Sequence, residues 1–335
     1  VINMNPYSSA RDEFEDFETA NMVFLDANEN PFENGVNRYP DPQQMKLKRI
    51  LSTQKNVPAN QILLGNGSDE VLDLIFRAFC EPYVDNIITL PPTYGMYGVL
   101  ANLNAIENQE VLLSEDFQPK VNTILERVNS NTKIIFLCSP NNPTGNSFSD
   151  ESVVNLLQNF DGLVVIDEAY IDFSSKQSWI NELDEYPNLI ITQTLSKAYG
   201  LAGIRLGICY ASNPIIAVLN KIKPPYNVNE LTQQRAVERL DKSDLIKKEI
   251  DSIIGQKEIL LKVLLDINFI KKIYPTEANF ILIKVDDATK RYNQLLEKGI
   301  VIRNRTTQPL CENCLRLTIG TEEENNKLID ALQRC

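Results

Sequence analysis

Short apolar runs alternate with stretches of helical hydrophobic spacing between residues 61 and 222. Brief runs rich in β-branched and aliphatic residues predict buried strands, and apolar residues three or four positions apart predict amphipathic helices. The predicted strands cover residues 87–90, 105–113, 133–139, 163–167, 189–193 and 206–211. Because alternating strands and helices form a mostly parallel sheet flanked by helices, this part of the chain is predicted to be α/β.

The pattern changes after about residue 226. A long helical stretch over residues 230–265 precedes predicted strands at 280–285 and 314–319, with helices between and after them. We therefore expect a smaller α+β domain at 226–335 beside a large domain at 26–225. The first 25 residues are acidic and irregular, and we expect them to form an arm that packs on the small domain.

Charge and apolar content narrow the class of protein. The 335 residues include 33 Lys and Arg against 45 Asp and Glu, for a net charge of −12. An acidic chain is a poor nucleic-acid surface, and no apolar run approaches the ~20 residues of a membrane span. The start shows no signal-peptide pattern, and the six cysteines are scattered as in a reduced thiol protein. We expect a cytoplasmic protein that binds neither nucleic acid nor membrane.

The chain contains no histidine, which limits its chemistry. Ser-His-Asp and Cys-His catalysis, histidine metal ligands and histidine general bases are all excluded. Cys311 and Cys314 form a CxxC pair with no second pair to complete a zinc site, so no metal is predicted. Proton transfer must come from Lys, Asp, Glu, Tyr or Cys.

Lys197 stands directly after a predicted strand, with Thr194 and Ser196 before it and Arg205 eight residues later. Its amine can condense with an aldehyde, while the hydroxyls, the guanidinium and loop amides can hold a phosphate. Asp167 ends another predicted strand, and its carboxylate can pair with a pyridine nitrogen. This combination predicts a site for pyridoxal phosphate. A solvated lysine and a helix-capping aspartate are the structural alternatives.

Further candidates lie at neighbouring strand ends. Gly67, Ser68 and Asp69 begin a predicted helix, where they can bind a phosphate or simply cap the helix. Tyr94 can stack on the pyridine ring or be a buried turn residue. Asn142 lies in an Asn-Pro loop and, with Tyr170, can donate to the phenolic oxygen of the cofactor, which would keep the bound aldehyde reactive near neutral pH.

Arg303 and Arg316 lie in otherwise apolar segments of the predicted small domain. The planar guanidinium suits a carboxylate or a phosphate, so both arginines are candidates for an anionic substrate. An internal salt bridge is the alternative.

With these residues in view, the chain resembles the fold-type I pyridoxal-phosphate aminotransferases, and within them the histidinol-phosphate aminotransferase family. The resemblance covers nearly the whole length, including residues 5–11, 25–31, 37–40, 77–82, 91–97 and 314–318. The lysine, aspartate and Asn-Pro-Thr-Gly motifs are typical of the superfamily. The N-terminal segments and the run at 91–97 are typical of the narrower family.

The resemblance implies a role for each matching residue. Lys197 would bind the cofactor's aldehyde, Asp167 its ring nitrogen, and Asn142 with Tyr170 its phenolic oxygen, while Tyr94 would stack on the ring. The phosphate would be held by Gly67, Ser68, Asp69, Thr194, Ser196 and Arg205. Tyr39 would reach the cofactor of a neighbouring subunit, which implies a homodimer with shared sites. The residues facing the substrate would be Tyr7, Asn28, Arg303 and Arg316.

The implied reaction belongs to histidine biosynthesis. It transfers an amino group between L-histidinol phosphate and 2-oxoglutarate, giving imidazole-acetol phosphate and L-glutamate. Three alternatives stay open: an aminotransferase for aromatic amino acids or aspartate, a decarboxylase similar to threonine-phosphate decarboxylases, and a regulatory module without catalysis. The intact Lys197 argues against the last of these.

Overall fold

The computed structural model describes residue 1, residue 4 and residues 23–335. Tyr7 and most of the arm predicted at residues 1–25 lie outside the described residues. The chain divides into two compact units, residues 1–81 with 179–243 and residues 82–178 with 244–335. The domain boundaries expected at residues 25 and 225 stay a prediction.

The helices are α1 Met45–Lys55, α2 Gly67–Phe79, α3 Met96–Leu103, α4 Val121–Arg127, α5 Asp150–Asn159, α6 Asn213–Ile222, α7 Glu230–Leu240, α8 Ser243–Leu264, α9 Ala288–Glu297 and α10 Glu322–Gln333. The strands are β1 Ile62–Asn66, β2 Asn86–Thr89, β3 Glu107–Glu110, β4 Thr132–Cys138, β5 Leu163–Asp167, β6 Leu189–Thr194, β7 Leu206–Ala211, β8 Ile270–Ile273, β9 Phe280–Val285, β10 Arg303–Asn304 and β11 Cys314–Thr318. None of the helices in the described part of the chain has the length and hydrophobicity needed to span a membrane.

In the first unit, β7 pairs antiparallel with β1 on one side and with β6 on the other. The register sets Asn66 opposite Leu206 and Thr194 opposite Gly207. All six residues of β7 and of β6 are buried, as their apolar composition predicts. The pairing brings the start of α2, the end of β6 and the start of β7 together at one edge.

In the second unit, β5, β4, β2 and β3 form successive parallel pairs. The large sheet has the strand order β1-β7-β6-β5-β4-β2-β3, and β7 runs opposite to its partners β1 and β6. The predicted α/β class with a mostly parallel central sheet is therefore confirmed. Cys138 lies opposite Asp167 in the β4–β5 register, so the loops that follow both strands emerge from the same edge.

The second unit also contains a four-stranded antiparallel sheet in the order β10-β11-β9-β8. Its buried face packs on α8, α9 and α10 around a shared apolar core. That core includes Leu260, Leu264, Ile281, Ile283, Leu295, Leu315, Leu317, Leu328 and Leu332. Antiparallel strands with helices on one face form an α+β arrangement, as the sequence pattern predicts for this region.

Some elements differ from the sequence expectation. Residues 62–66 form β1, which was not among the predicted strands because Gly65 and Asn66 interrupt its apolar run and α2 follows at once. The strand expected over 105–113 is only β3, whose four residues are exposed or half-buried. The helix expected over 230–265 is two helices, α7 and α8, separated at residues 241–242.

Candidate active site

An anion cradle lies in the first unit where β1 runs into α2. Gly67 begins the helix with a φ of +78°, a left-handed conformation that glycine adopts without strain. Asn66 is the N-cap residue and no side chain caps the helix. Ser68 and Asp69 therefore lie inside the first turn and do not act as caps. The first amides of a helix have no intrahelical acceptor, so they are available to an anion.

Two glycines keep this cradle open. A Cβ on Gly207 would lie 2.3 Å from the carbonyl carbon of Gly67 and 2.4 Å from the amide nitrogen of Ser68. A Cβ on Gly67 would lie 2.7 Å from Nη2 of Arg205. Any larger residue at either position would push into the backbone or into the guanidinium. The cradle thus depends on the absence of two side chains as well as on the donors around it.

Arg205 supplies the positive charge of the cradle. Its backbone is left-handed, with φ of 58°, and its Nη2 lies 3.6 Å from Oδ2 of Asp69. The hydroxyl of Thr194 donates to the carbonyl of Leu206 at 3.3 Å, and the amide of Ser196 donates to the Thr194 hydroxyl at 3.1 Å. Backbone amides, hydroxyls and a guanidinium therefore converge at one edge, which is a donor set that suits a phosphate.

Lys197 lies in the turn that follows β6, in the same unit as the cradle. The turn is closed by the amide of Gly200, which donates to the Lys197 carbonyl, and by the amide of Leu201, which donates to Leu195, both at 3.0 Å. Leu195 is buried whereas the Lys197 side chain is exposed. The turn thus anchors the backbone of Lys197 and places its side chain at the surface.

In the second unit, Asp167 ends β5 with only 3% of its surface exposed. The hydroxyl of Tyr97 donates to its Oδ2 at 2.8 Å, and the amide of Ala169 donates to its Oδ1 at 3.1 Å. Burial, and then the nearby carboxylate, hold the pKa of Tyr97 well above its ordinary value. Tyr97 therefore stays protonated and donates to an oriented carboxylate, one that can pair with a cationic ring nitrogen.

The aromatic residues beside Asp167 form a packed group. Tyr97 stacks on Phe136 with centroids 4.9 Å apart, and Tyr94 meets Tyr97 edge-on at 5.5 Å. The amide of Asn141 donates to the carbonyl of Pro92 at 2.9 Å and accepts from the hydroxyl of Thr93, which links the two loops. Tyr94 is half-buried and lines a cavity of about 180 Å³. The predicted stacking residue thus faces open space.

Asn142 and Tyr170 lie near Arg316 in the same unit. One guanidinium nitrogen of Arg316 donates to Oδ1 of Asn142, which leaves the amide nitrogen of Asn142 as its donor. Tyr170 packs edge-on against Phe280 at 5.1 Å, and Arg316 lies over the same ring at 5.0 Å. Burial raises the pKa of Tyr170 far above its ordinary value, with Arg316 opposing the shift, so the phenol stays a hydrogen-bond donor.

Arg303 lies opposite Arg316 in the β10–β11 pair. Neither arginine forms an ion pair with a carboxylate in the described part of the chain, so the salt-bridge alternative finds no support there. The predicted substrate residue Asn28 and the predicted partner-site residue Tyr39 line one cavity of about 440 Å³ in the first unit. Oε1 of Glu29 accepts from the amide of Tyr39 at 2.6 Å and joins the two segments.

Two functional candidates escaped the sequence analysis. Tyr97 belongs to the quoted run at 91–97, and its spacing of three from Tyr94 could have indicated that both rings face one site. Arg305 comes two residues after Arg303, so alternation along a strand would have placed both on one face. Neither signal distinguishes a functional residue from a packed one without the contacts that the structure supplies.

Comparisons with known proteins identify the family of the chain. The family model described as aminotransferase class I and II matches residues 15–332. A histidinol-phosphate aminotransferase from Flavobacterium johnsoniae is 78% identical over 99% of this chain and 95% of its own length. The protein of the same name from Flavobacterium psychrophilum is 69% identical over 99% of this chain and 96% of its own length.

The fold is also similar to solved structures of histidinol-phosphate aminotransferases. The histidinol-phosphate aminotransferase from Clostridium acetobutylicum superposes with a TM-score of 0.83 at 25% identity, over 90% of this chain and 91% of that one. The histidinol-phosphate aminotransferase from Sinorhizobium meliloti in complex with pyridoxal-5'-phosphate has a TM-score of 0.82 at 25% identity, over 89% of this chain and 82% of that one.

Proposed function

Since the chain belongs to the class I and II aminotransferases, we propose that it transfers an amino group between L-histidinol phosphate and 2-oxoglutarate, with pyridoxal phosphate as its cofactor. The products are imidazole-acetol phosphate and L-glutamate, and the reaction serves histidine biosynthesis. The full-length identity of 78% to a relative named for this activity carries the substrate assignment. The two sets of side chains described above support the cofactor assignment.

The residues fit pyridoxal phosphate chemically. The cradle of Gly67, Thr194, Ser196 and Arg205 offers amides, a hydroxyl and a guanidinium to the phosphate, and Gly207 keeps it open. Asp167 is buried and accepts a hydrogen bond from Tyr97, and its carboxylate would pair with the cationic ring nitrogen. The bound cofactor supplies an aldehyde that captures the substrate's amine and a ring that withdraws electrons from its Cα.

Each residue then has a defined task. Lys197 Nζ would hold the cofactor through its aldehyde and, once the substrate's amine has displaced it, would accept the proton from the substrate's Cα. The Asp167 carboxylate would keep a proton on the ring nitrogen. The phenol of Tyr170 and the amide nitrogen of Asn142 donate to the phenolic oxygen, and Arg316 fixes the amide by donating to its oxygen. Tyr94 restricts the ring's orientation.

The substrate's anionic groups are assigned to Arg303 and Arg316, and Tyr7 and Asn28 are also assigned to face the substrate. Tyr39 is assigned to the cofactor of a second subunit, so the proposal includes a homodimer with shared sites. Tyr39 is suited to this task because it is 48% exposed and its ring is held by stacking on Tyr226 at 4.6 Å. A rigid exposed ring can reach a second copy without losing conformational freedom on binding.

The decisive experiment mixes the yellow, cofactor-loaded protein with L-histidinol phosphate in the absence of any keto acid. We expect the visible absorption of bound pyridoxal phosphate to disappear and to return when 2-oxoglutarate is added. Conversion by phenylalanine or aspartate, with no response to L-histidinol phosphate, would replace the substrate and keep the reaction type. Release of carbon dioxide from L-threonine O-3-phosphate would instead indicate a decarboxylase.

A further inference from the structure

Arg305 begins the loop that joins β10 to β11. Its backbone amide donates to the carbonyl of Cys314 at 2.8 Å, and its carbonyl accepts from the amide of Gln308 at 2.9 Å. The amide of Thr306 donates to Oδ1 of Asn304, also at 2.9 Å. Backbone hydrogen bonds therefore hold both ends of the first turn. These hydrogen bonds fix the backbone from which the side chains of the loop extend.

Several polar atoms of this loop are buried without a hydrogen-bond partner among the described residues. They are Nε of Arg305, Oγ1 of Thr306 and Oε1 of Gln308, together with Nε of Arg316 on the adjacent strand. Buried polar groups in folded proteins nearly always have a hydrogen-bond partner, because a group without one loses its hydration and gains nothing in return. A cluster of such atoms around two arginines indicates a binding site for a polar ligand.

The positive charge of the cluster indicates that its ligand is an anion. Burial and then repulsion by Arg305 lower the pKa of Arg316 to about 10, and burial and then Arg303 lower that of Arg305. No carboxylate of the described residues pairs with any of the three arginines. The three guanidinium groups repel one another, and an anion among them would relieve that repulsion.

We infer that Arg305 is a specificity-determining residue that selects a phosphate-bearing amine over a carboxylate-bearing one. This inference rests on the proposed function and adds a third cation to Arg303 and Arg316. A phosphate monoester carries close to two negative charges and three acceptor oxygens, whereas a carboxylate carries one charge and two oxygens. The third guanidinium can therefore be satisfied fully by the phosphate of L-histidinol phosphate but only in part by the distal carboxylate of 2-oxoglutarate.

The variant Arg305→Gln keeps a polar side chain and removes the charge. We expect the KM for L-histidinol phosphate to rise about 10- to 100-fold, the range of one charge-assisted hydrogen bond. The KM for 2-oxoglutarate should change less than about threefold. The preference of the enzyme for L-histidinol phosphate over L-histidinol should shrink by the same factor as the KM rises. Arg305→Lys should recover part of the loss because it restores the charge without the planar fork.

Inorganic phosphate supplies a readout that does not need turnover. Titration of the cofactor-loaded protein in a calorimeter should give a Kd at least tenfold weaker for Arg305→Gln than for the wild type. Arg127→Gln removes an equal charge from an exposed position on α4 and is the matched control. Its KM values and its Kd should equal those of the wild type.

The outcomes separate the inference from the proposed function. An equal rise of KM for both substrates, or an unchanged phosphate Kd, would overturn the role of Arg305 while the wild type still converts L-histidinol phosphate. If the wild type converts only amines without a phosphate, the proposed substrate is wrong. Even in that case, a loss of phosphate affinity in Arg305→Gln but not in Arg127→Gln would show that Arg305 binds an anion.

Discussion

The Tyr97 hydroxyl donates a 2.8 Å hydrogen bond to Oδ2 of Asp167, and Tyr97 is fully buried. The stack of its ring on Phe136 fixes the direction of that hydroxyl. The backbone amide of Ala169 also donates to this carboxylate, and truncation of a side chain does not remove it. Tyr97 is therefore a side chain through which the orientation of Asp167 can be tested.

Tyr97→Phe should reduce both stability and activity. Loss of a buried hydrogen bond to a charged group lowers the free energy of unfolding by about 1–3 kcal/mol. The freed carboxylate oxygen should also weaken the hold on the cofactor's ring, so kcat should fall and the Kd for pyridoxal phosphate should rise. Urea unfolding and cofactor titration measure these effects. Tyr83→Phe, at a residue that is 92% exposed, should change neither quantity.

Lys197→Ala should abolish transfer. Removal of a positioned general base slows a proton transfer by about 10²- to 10⁴-fold, and this substitution also removes the group that binds the aldehyde. The measurement is single-turnover conversion of L-histidinol phosphate, with Lys242→Ala on an exposed turn as the control. A variant that retains a substantial fraction of wild-type turnover would contradict the assignment of Lys197.

The sequence predicted the fold class and the strand ends from which the site is built. The apolar runs at 163–167 and 206–211 match β5 and β7 because strands with mostly buried residues appear as continuous apolar runs in the sequence. β10 is two residues long and β3 is exposed or half-buried, so neither leaves such a pattern. The positions of β3 and β10 are set by hydrogen bonds to the neighbouring strands, and the hydrophobic pattern of the sequence carries no information about that pairing.

In the candidate site, too, some residues could be predicted from the sequence and others could not. Lys197 and Asp167 were predictable because each follows a strand and each residue type suits one chemical task. The bond between Tyr97 and Asp167 joins residues 70 positions apart, and only the packing of α3 on the sheet brings them together. The importance of Gly207 was equally hidden, because it comes from the proximity of Gly67, 140 residues away in the chain.

Gly207→Ala and Gly255→Ala should have opposite effects on stability. A Cβ at Gly207 would lie 2.3 Å from backbone carbon, so the β1–α2 junction must shift and the cradle for phosphate must distort. We expect a loss of about 1–3 kcal/mol, the range of overpacked sites, together with weaker cofactor binding. Gly255 lies inside α8 with no atom within 4 Å of a new Cβ, so alanine there should stabilise by about 0.5–1 kcal/mol. Thermal unfolding of both variants measures the contrast.

Lys48 makes the stability of the first unit depend on pH. It lies on the buried face of α1 with 3% of its surface exposed, near Lys223 and Asp41. Burial, and then repulsion by Lys223, lower the pKa of Lys48 to about 8, with Asp41 opposing the shift. In the unfolded chain its pKa is that of an ordinary lysine, about 10.4. Between these two values the unfolded state binds more protons, so stability rises with pH in that window.

Lys48→Met should therefore stabilise the protein most at neutral pH, where the wild-type lysine is charged in both states and its burial is fully penalised. The gain should be roughly 3 kcal/mol at pH 7, from the difference between the folded and unfolded pKa values of Lys48, and it should shrink as pH rises from about 8 to about 10.4. Urea unfolding at several pH values measures the difference between variant and wild type. Lys46→Met on the exposed face of the same helix is the matched control. A difference for Lys48→Met that stays constant with pH would mean that Lys48 titrates normally in the folded protein.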